Sequence, residues 1–214
     1  MKAKENLELL IQRRLLESIN YREYAKGRDG IVFHLDNYRT AKLFYGEPKL
    51  AEFNAKLQAG VSKYCYEAGV QVPKPHGELI ETLYPNLKLK EGLDEIPTFT
   101  IVMDRIRGGV EIPEINPKHG GKHGLKGKDL PGIGRKHYHL SSRQMRQAMR
   151  NYYEQLMKVH DLGIVVDDSA FFWNVLYAPH RKKAFLIDQV GWYLGTPKQL
   201  LDFKRKIDGR SRVF

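Results

Sequence analysis

Residues 25–44 have the sequence AKGRDGIVFHLDNYRTAKLF, which contains two segments of strongly β-forming character. Residues 31–35 and 39–44 are rich in β-branched, aromatic and other apolar side chains, and the polar pair Asp36-Asn37 lies between them. Two such runs around a short Asp/Asn turn are typical of a β-hairpin. The segment therefore predicts a sheet in the N-terminal half of the chain.

The glycines that precede this hairpin suggest a chemical role for it. Gly27 and Gly30 lie in a short polar turn, and a glycine turn lets backbone N–H groups approach a phosphate closely. Lys42, on the second strand, can reach back to the same phosphate. The plain alternative is that Gly27 and Gly30 only form a turn, because a Gly-x-x-Gly sequence in a hairpin is a weak motif on its own.

Length and composition limit the possible architectures and compartments. The chain has 214 residues, of which 42% are hydrophobic, which is enough for one ordinary domain or two small lobes. No apolar run is long enough to cross a bilayer, and the first residues are too charged for a secretory signal. Cys65 is the single cysteine, so an internal disulfide and a Cys-rich zinc site are excluded. We expect a buried Cys65 and a cytoplasmic protein.

The net charge of +11 favours anionic partners, namely nucleotide phosphates, nucleic acid, an acidic protein surface or an anionic membrane. Much of the excess lies in residues 117–139, which are rich in Gly, Lys and His and predict a surface loop. This loop is either a solvated insertion or a capture site for an acidic protein or RNA. Its basic residues are Lys118, Lys122, Lys126, Lys128, Arg135 and Lys136.

Apolar periodicity predicts three long helices, over residues 5–19, from Pro48 to about Glu67, and from about 141 to 162. In the second helix the apolar residues at helical spacing are Leu50, Phe53, Leu57, Val61 and Tyr64. In the third they are Met145, Met149, Tyr152 and Leu156.

Further strands are predicted at 78–83 and 98–106, and the second of these is apolar enough to be central in a sheet. Residues 164–173 are predicted to be irregular, and 174–177 with 183–187 form a second hairpin. Only a short tail is expected after it. The predicted class is α+β, with an N-terminal lobe over 1–104 and a reduced C-terminal lobe over 105–214.

Acidic and amide side chains gather around the second hairpin. Asp188 follows an apolar strand, where a carboxylate must meet solvent, a cation or a metal. Asn174 begins the preceding strand, and Asp167 and Asp168 lie in the loop before it. Because Mg²⁺ prefers oxygen ligands, Asn174 and Asp188 predict a magnesium site.

The order of these motifs resembles the protein-kinase-like superfamily. Residues 27–42 resemble the end of a kinase glycine-rich loop and the strand with its lysine. Residues 159–168 (VHDLGIVVDD), followed by Asn174 and then 186–188 (LID), resemble a kinase catalytic loop with its two metal-binding residues. Residues 67–75 (EAGVQVPKP) are similar to a link in RIO kinases and in the small kinase associated with tRNA threonylcarbamoylation.

The resemblance covers roughly residues 22–190, and 102–108 (VMDRIRG) match the linker of the same branch. It implies a two-lobed kinase-like fold that binds ATP and Mg²⁺. Lys42 would hold the α/β-phosphates and pair with Glu52, Asp168 would be the catalytic base, and Asn174 and Asp188 would bind Mg²⁺. The residues implied to contact the nucleotide are Gly27, Gly30, Val32, Ala41, Lys42, Met103, Asp104, Ile106 and Leu176.

Departures from the family pattern leave alternatives open. The interval from Asp168 to Asn174 is one residue longer than in the family, so Asp167 is an alternative base. Glu47 is a rival to Glu52 as the partner of Lys42, although at a helix start it can instead complement the helix dipole. Val166 replaces the usual histidine, and the Asp-Phe-Gly motif is replaced by Asp-Gln-Val at 188–190.

The expected function is an ATP- and Mg²⁺-dependent phosphotransferase, a minimal enzyme of the Ser/Thr protein kinase type with a protein as the favoured acceptor. One alternative is a pseudokinase that binds a nucleotide or a partner without phosphoryl transfer. Another is a basic nucleic-acid-binding module that does not use Lys42 or Asp188.

Overall fold

The computed structural model describes residues 2–21, 24–26, 30–77, 79–85, 95–111, 142–166 and 174–211. The described chain divides into two compact units. The first comprises the described part of residues 1–60 together with Lys74–Arg105, and the second comprises Val61–Pro73 with the described part of residues 106–214. The sequence-based division at 104 differs in two respects, because it leaves Val61–Pro73 in the first unit and places Arg105 in the second.

The first unit is an antiparallel sheet with one complete helix and the N-terminal part of a second, which continues into the other unit. Helix α1 (Lys2–Tyr21) is followed by β1 (Tyr24–Lys26), β2 (Gly30–His34), β3 (Arg39–Phe44), α2 (Pro48–Glu67), β4 (Ile80–Pro85) and β5 (Glu95–Asp104). The strand order is β1-β2-β3-β5-β4, and every neighbouring pair is antiparallel. The predicted hairpin and the interior position of β5 are therefore confirmed.

Alternation along the strands gives the sheet two distinct faces. Ile31 and Phe33 of β2 pair with Leu43 and Ala41 of β3, and all four pack in one cluster with buried residues of α1. Lys42 lies between Ala41 and Leu43, so its side chain is on the opposite face from α1.

Gly30 is required by the sheet itself. A Cβ at this position would overlap the main-chain carbonyl of Leu43 on the neighbouring strand. A side chain is therefore excluded here whether or not a phosphate binds nearby, and this position no longer argues specifically for a phosphate loop.

Helix α2 begins and ends where the sequence predicts, but a different face of it is buried. Its apolar row is largely exposed to solvent, with exposed fractions of 56% for Leu50, 60% for Phe53 and 49% for Tyr64. The buried side chains are small or polar and are Ala51, Ala55, Gln58, Ser62 and Cys65. Val61 differs from the exposed residues of the row, because it is half-buried and packs against the core of the second unit. The predicted burial of Cys65 is confirmed.

The second unit contains two small sheets and two helices. Its elements in chain order are β6 (Val110–Glu111), α3 (Ser142–Asp161), β7 (Ile164–Val166), β8 (Val175–Ala178), β9 (Lys183–Leu186), β10 (Trp192–Leu194) and α4 (Pro197–Ser211). Strands β6, β8 and β9 form one antiparallel sheet, and β7 pairs with β10 in another. The predicted hairpin of β8 and β9 is confirmed.

Two expectations for the second unit are corrected. Residues 164–166 are a strand rather than irregular, because Val166 and Ile164 pair with Trp192 and Leu194 of β10. The residues after Asp188 form β10 and a 15-residue helix, α4, whose Phe203 and Ile207 are buried in the same core as α3. The chain therefore folds well past the hairpin.

Helix α3 buries the apolar face that the sequence predicts. Met149, Tyr152 and Leu156 are each at most 2% exposed and pack with β7, β8 and β9. The molecule belongs to the mixed α+β class, as predicted. None of the helices in the described ranges is both long and apolar enough to span a membrane.

Candidate functional site

Lys42 is a buried lysine near the centre of the first unit's sheet. It is 5% exposed, and its cross-strand neighbours are Val32 on β2 and Ile101 on β5. Its Nζ donates a hydrogen bond to Oε1 of Gln58 at 2.9 Å, and Gln58 is itself 1% exposed. The ammonium also lies 4.6 Å from the centre of the Phe44 ring. The buried amide and the ring fix the position of this cation.

The predicted pairing of Lys42 with a glutamate is corrected by these contacts. Glu52 forms a salt bridge with Lys56 one turn along α2, and both side chains face solvent. Glu47 accepts hydrogen bonds from the backbone N–H groups of Lys49 and Leu50. It therefore caps α2, as the helix-start alternative proposed. The rotation of α2 brings Gln58, and neither glutamate, to Lys42.

Val32 and Ala41 do not lie on one side of the sheet. Ala41 is fully buried in the cluster under α1, whereas Val32 shares the face of Lys42. The implied joint contact of Val32 and Ala41 with an adenine ring is therefore wrong. Thr40, two residues before Lys42, lies on the Lys42 face and pairs with Met103.

The end of β5 is tied to neighbouring backbone. The N–H of Asp104 donates to the carbonyl of Lys74 at 2.9 Å, and the N–H of Arg105 donates to the carbonyl of Tyr38 at 2.7 Å. The carboxylate of Asp104 lies 2.6 Å from Nε2 of His76. An adenine edge would have to displace one of these bonds to use either amide, which weakens the implied contact of Asp104. Met103 and Ile106 stay predictions.

His34 adds an uncharged group to the Lys42 face. Its Nδ1 lies 3.3 Å from Oγ1 of Thr40, and its Nε2 is buried without a hydrogen-bond partner in the described structure. Burial, with a smaller contribution from the positive charge of Arg105, lowers the pKa of His34 from 6.5 to about 4. His34 is therefore neutral at pH 7. His34 was not among the residues predicted from the sequence, although a histidine within an apolar strand is the available signal.

In the second unit, the β8–β9 hairpin brings Asn174 and Asp188 together. Val175 pairs with Leu186, so the residues flanking that pair meet at one end of the hairpin. The N–H of Ile187 donates to the carbonyl of Asn174 at 2.8 Å, and the Asn174 amide lies 3.5 Å from the Asp188 carbonyl. Both side chains are half-buried. The predicted proximity of Asn174 and Asp188 is confirmed.

Asp188 has a left-handed backbone, with φ of +57°. Aspartate and asparagine adopt this conformation more readily than most residues, but it still requires support from the surrounding structure. The next residue provides that support. Gln189 is 1% exposed, accepts a hydrogen bond from Ser62 Oγ at 2.8 Å, and donates to the carbonyl of Leu186 at 2.9 Å.

Gln189 and Ser62, which hold the backbone beside Asp188, were not among the site residues predicted from the sequence. Gln189 stands where the resembled family has an apolar phenylalanine, and this departure was the only available signal. The oxygen and the nitrogen of the Gln189 side-chain amide are both hydrogen-bonded in the interior. Gln189 therefore fixes the backbone next to Asp188.

Leu176 lies on the side of the hairpin that faces away from α3. Its strand neighbours Val175 and Tyr177 pack in the α3 core, and Leu176, 7% exposed, alternates with them. It contacts the main chain at Gly109, where an added Cβ would lie 3.3 Å from the Leu176 Cβ. The role implied for Leu176 beneath a nucleotide stays a prediction.

Several predicted residues lie outside the described part of the chain. These are Gly27, both candidate bases Asp167 and Asp168, and the basic residues from Lys118 to Lys136. Among the residues that the structure does describe, no group of three or more His, Cys, Asp or Glu side chains is close enough to bind one metal ion. A magnesium ion at Asn174 and Asp188 would therefore need other oxygen ligands, such as water and phosphate.

A comparison with models of known protein families matches none of them, and a comparison with curated proteins finds no match either.

Proposed function

We propose that this chain is an ATP- and Mg²⁺-dependent phosphotransferase of the minimal, protein-kinase-like type. The observation that carries the proposal is the corner formed by Asn174 and Asp188. At this corner the side-chain amide of Asn174 lies 3.5 Å from the backbone carbonyl of Asp188, and the left-handed backbone of Asp188 is held by its buried neighbour Gln189. A polar residue held at a strained backbone position is typical of a functional site.

The chemistry of this corner suits magnesium in a nucleotide complex. Mg²⁺ is bound in such sites by one or two protein carboxylates together with waters and substrate phosphates. Asp188 would supply the charged oxygen and Asn174 a neutral one. The metal would neutralise charge on the β- and γ-phosphates, which is the main electrostatic requirement of phosphoryl transfer.

Lys42 would contribute the fixed cation. Its ammonium is desolvated and directed by Gln58, so it would meet a phosphate with little reorganisation. Phosphoryl transfer also needs a carboxylate near the attacking hydroxyl, and Asp168 is the first choice for this base, with Asp167 as the alternative. The assignment of a two-lobed kinase-like fold with a reduced C-terminal lobe belongs to the same proposal.

The proposed acceptor is a protein Ser or Thr hydroxyl, and the proposed compartment is the cytoplasm. The single cysteine, Cys65, which is a free and buried thiol, supports the proposed compartment. Disulfide-free chains are ordinary in a reducing compartment.

A thermal-stability measurement with ATP tests the nucleotide site. A ligand that binds only the folded state must raise the Tm, and a ligand at 100 times its Kd stabilises by about 2.7 kcal/mol. We expect ATP with Mg²⁺ to raise the Tm of the wild type by several degrees, and Asp188→Ala to lose the Mg²⁺-dependent part. Asp202→Ala, an exposed aspartate on α4, is the matched control and keeps the full shift.

The outcomes of this experiment are distinct. No shift at millimolar ATP would overturn the proposal. An equal shift in wild type and Asp188→Ala would remove Asp188 from the metal site.

A transfer assay then separates binding from chemistry. We expect Asp168→Ala to keep the Tm shift while losing transfer of the γ-phosphate to a generic protein acceptor. Loss of transfer in Asp167→Ala alone would move the base by one residue. Unchanged transfer in both variants would end the assignment of a carboxylate base in this loop.

Nucleotide binding without transfer is the second candidate function. The neutral amide of Gln58 at Lys42 favours it, because the resembled enzymes use a glutamate carboxylate there. Under this alternative, ATP with Mg²⁺ raises the Tm, but neither the wild type nor any variant transfers the γ-phosphate.

A further inference from the structure

Helix α2 carries a row of apolar residues that is exposed along its solvent side. We call this row the α2 seam. Leu50, Phe53 and Tyr64 are exposed by 56%, 60% and 49%, and Leu57 between them is half-buried. The seam consists of Leu50, Phe53, Leu57, Gly60 and Tyr64. Contiguous exposed apolar side chains of this kind mark interaction surfaces.

The spacing of the seam is that of a coiled coil. Its members are separated by three, four, three and four residues, which is the alternation of positions a and d in a heptad. Leu50, Leu57 and Tyr64 are at a, and Phe53 and Gly60 are at d. A strip this narrow fits the side of one partner helix, whereas a face that enters a lipid surface is wider.

Three lysines border the seam at one heptad position. Lys49, Lys56 and Lys63 each precede an a residue, which makes them g positions, and all three are exposed. Charges at g pair with opposite charges on the partner helix and select it. Lys56 already pairs with Glu52 on its own helix, whereas the side chains of Lys49 and Lys63 have no partner within the described residues.

Gly60 gives the seam a specific shape. An added Cβ at this position would meet no atom within 4 Å, so the space above it is open. The seam therefore has a gap at one d position, between Leu57 and Tyr64. A large apolar side chain of a partner helix fits such a gap as a knob fits a hole.

We propose that the α2 seam is a docking surface for an amphipathic helix of another protein, whose apolar a and d residues are flanked by Asp or Glu. The lysines favour an acidic partner. A second copy of this chain is disfavoured because each copy carries a net charge of +11, and antiparallel pairing would bring one lysine row against the other. The proposal is independent of the phosphotransferase assignment.

A peptide-binding experiment on the full chain tests the proposal. The probe is a fluorescent peptide of about three heptads with Leu and Ile at a and d and Glu at e and g. We expect the wild type to bind it, and Leu50→Ser/Phe53→Ser to weaken binding by about tenfold or more, since central apolar anchors dominate such interfaces. Leu9→Ser/Leu16→Ser on α1 is the matched control, because those leucines are 60% and 58% exposed and lie off the seam. The control keeps wild-type affinity.

A charge swap tests the lysine border. We expect Lys49→Glu/Lys63→Glu to bind the Glu peptide several-fold more weakly and to prefer the same peptide with Lys at e and g. All these substitutions are at exposed positions, so far-UV circular dichroism and Tm values equal to those of the wild type establish that the variants are folded.

Four results would overturn the proposal. The first is that a scrambled Glu peptide of the same composition binds as tightly as the designed one. The second is that the α1 control weakens binding as much as Leu50→Ser/Phe53→Ser does. The third is that anionic vesicles or RNA bind more tightly than the Glu peptide and depend on the seam. The fourth is a wild-type dimer in sedimentation that Leu50→Ser/Phe53→Ser dissociates, because a second copy would then cover the seam.

Discussion

Helices α2 and α3 are each 20 residues long, and each carries an apolar row at helical spacing, yet they use these rows in opposite ways. In α3 the apolar row is the buried face, with Met149 and Leu156 each 1% exposed. In α2 the large residues Leu50, Phe53 and Tyr64 of the apolar row are exposed to solvent, and the helix buries alanines, a serine, a cysteine and Gln58. Amphipathic periodicity therefore identifies a helix and its faces but does not identify which face the rest of the chain covers.

The difference has a physical reason in what each buried face meets. The α3 face meets apolar side chains of β7, β8, β9 and α4, for which large aliphatic residues are the best neighbours. The buried face of α2 meets polar groups that need partners. Gln58 bonds to Lys42, and Ser62 bonds to Gln189. A buried ammonium or amide without a partner would cost several kcal/mol, so polar residues are required there.

The largest expected difference between the two helices is in the unfolding free energy lost when one leucine of each is truncated to alanine. Leu156→Ala on α3 removes a fully buried side chain, so we expect it to lower the free energy of unfolding by about 2–5 kcal/mol. Leu50→Ala on α2 removes a side chain that is 56% exposed, and we expect a change within about 0.5 kcal/mol. Urea denaturation of both variants measures these changes in the free energy of unfolding. Similar losses would mean that something covers the α2 seam in the free chain.

The next effect concerns the polar buried face of α2. Gln58→Leu removes the carbonyl that accepts a hydrogen bond from Lys42, and we expect it to cost about 1–3 kcal/mol although leucine is the more apolar residue. Lys42→Met in the same background should recover part of this loss, because no ammonium then needs that acceptor. A double-mutant cycle in urea gives the coupling. Additive losses would mean that Gln58 and Lys42 do not interact.

His34 of β2, on the same face of the sheet as Lys42, should make the stability of the protein depend on pH. The folded protein lowers the pKa of His34 from 6.5 to about 4, so the unfolded chain binds the proton more tightly. The contribution of His34 to the free energy of unfolding is therefore fully present above pH 6.5, and it is lost as the pH falls from 6.5 towards 4. We expect His34→Gln to reduce the loss of unfolding free energy between pH 7 and pH 5. Leu156→Ala should keep the wild-type pH dependence, and an unchanged profile for His34→Gln would contradict the assignment.

The smallest effect uses Cys65, which reports whether the C-terminal half of α2 stays packed. Burial raises the pKa of its thiol from 9.0 to about 11, and the side chain has no exposed surface. We expect slow reaction with a thiol reagent at pH 8, because only the thiolate reacts and the thiol must first become accessible. Phe53→Ser should leave the rate unchanged, whereas Leu156→Ala should raise it. An equal increase in both would show that the seam stabilises α2.

The candidate site was predictable where it depends on neighbouring strands. Antiparallel pairing of the hairpin places Asn174 opposite Ile187, so the next residue, Asp188, lies close to Asn174 whatever else the chain does. The partner of Lys42 was not predictable in this way. Glu52 and Gln58 lie on the same helix, and the rotation of that helix about its axis decides which of them reaches Lys42. Position along a strand matters in the same way. Val32 pairs with Lys42 and shares its face of the sheet, whereas Ala41, one residue before Lys42, lies on the opposite face.

The sequence alone determined three of the four described helices, the two hairpins and the α+β class, because each follows from residue preferences and periodicities over a few neighbouring positions. Only the tertiary structure decided which faces are covered. The bond from Ser62 to Gln189 joins residues 127 positions apart, and the exposure of Leu50 depends on what packs, or fails to pack, on α2. Local backbone geometry fixes where side chains can point, and long-range packing selects which of those directions becomes the interior.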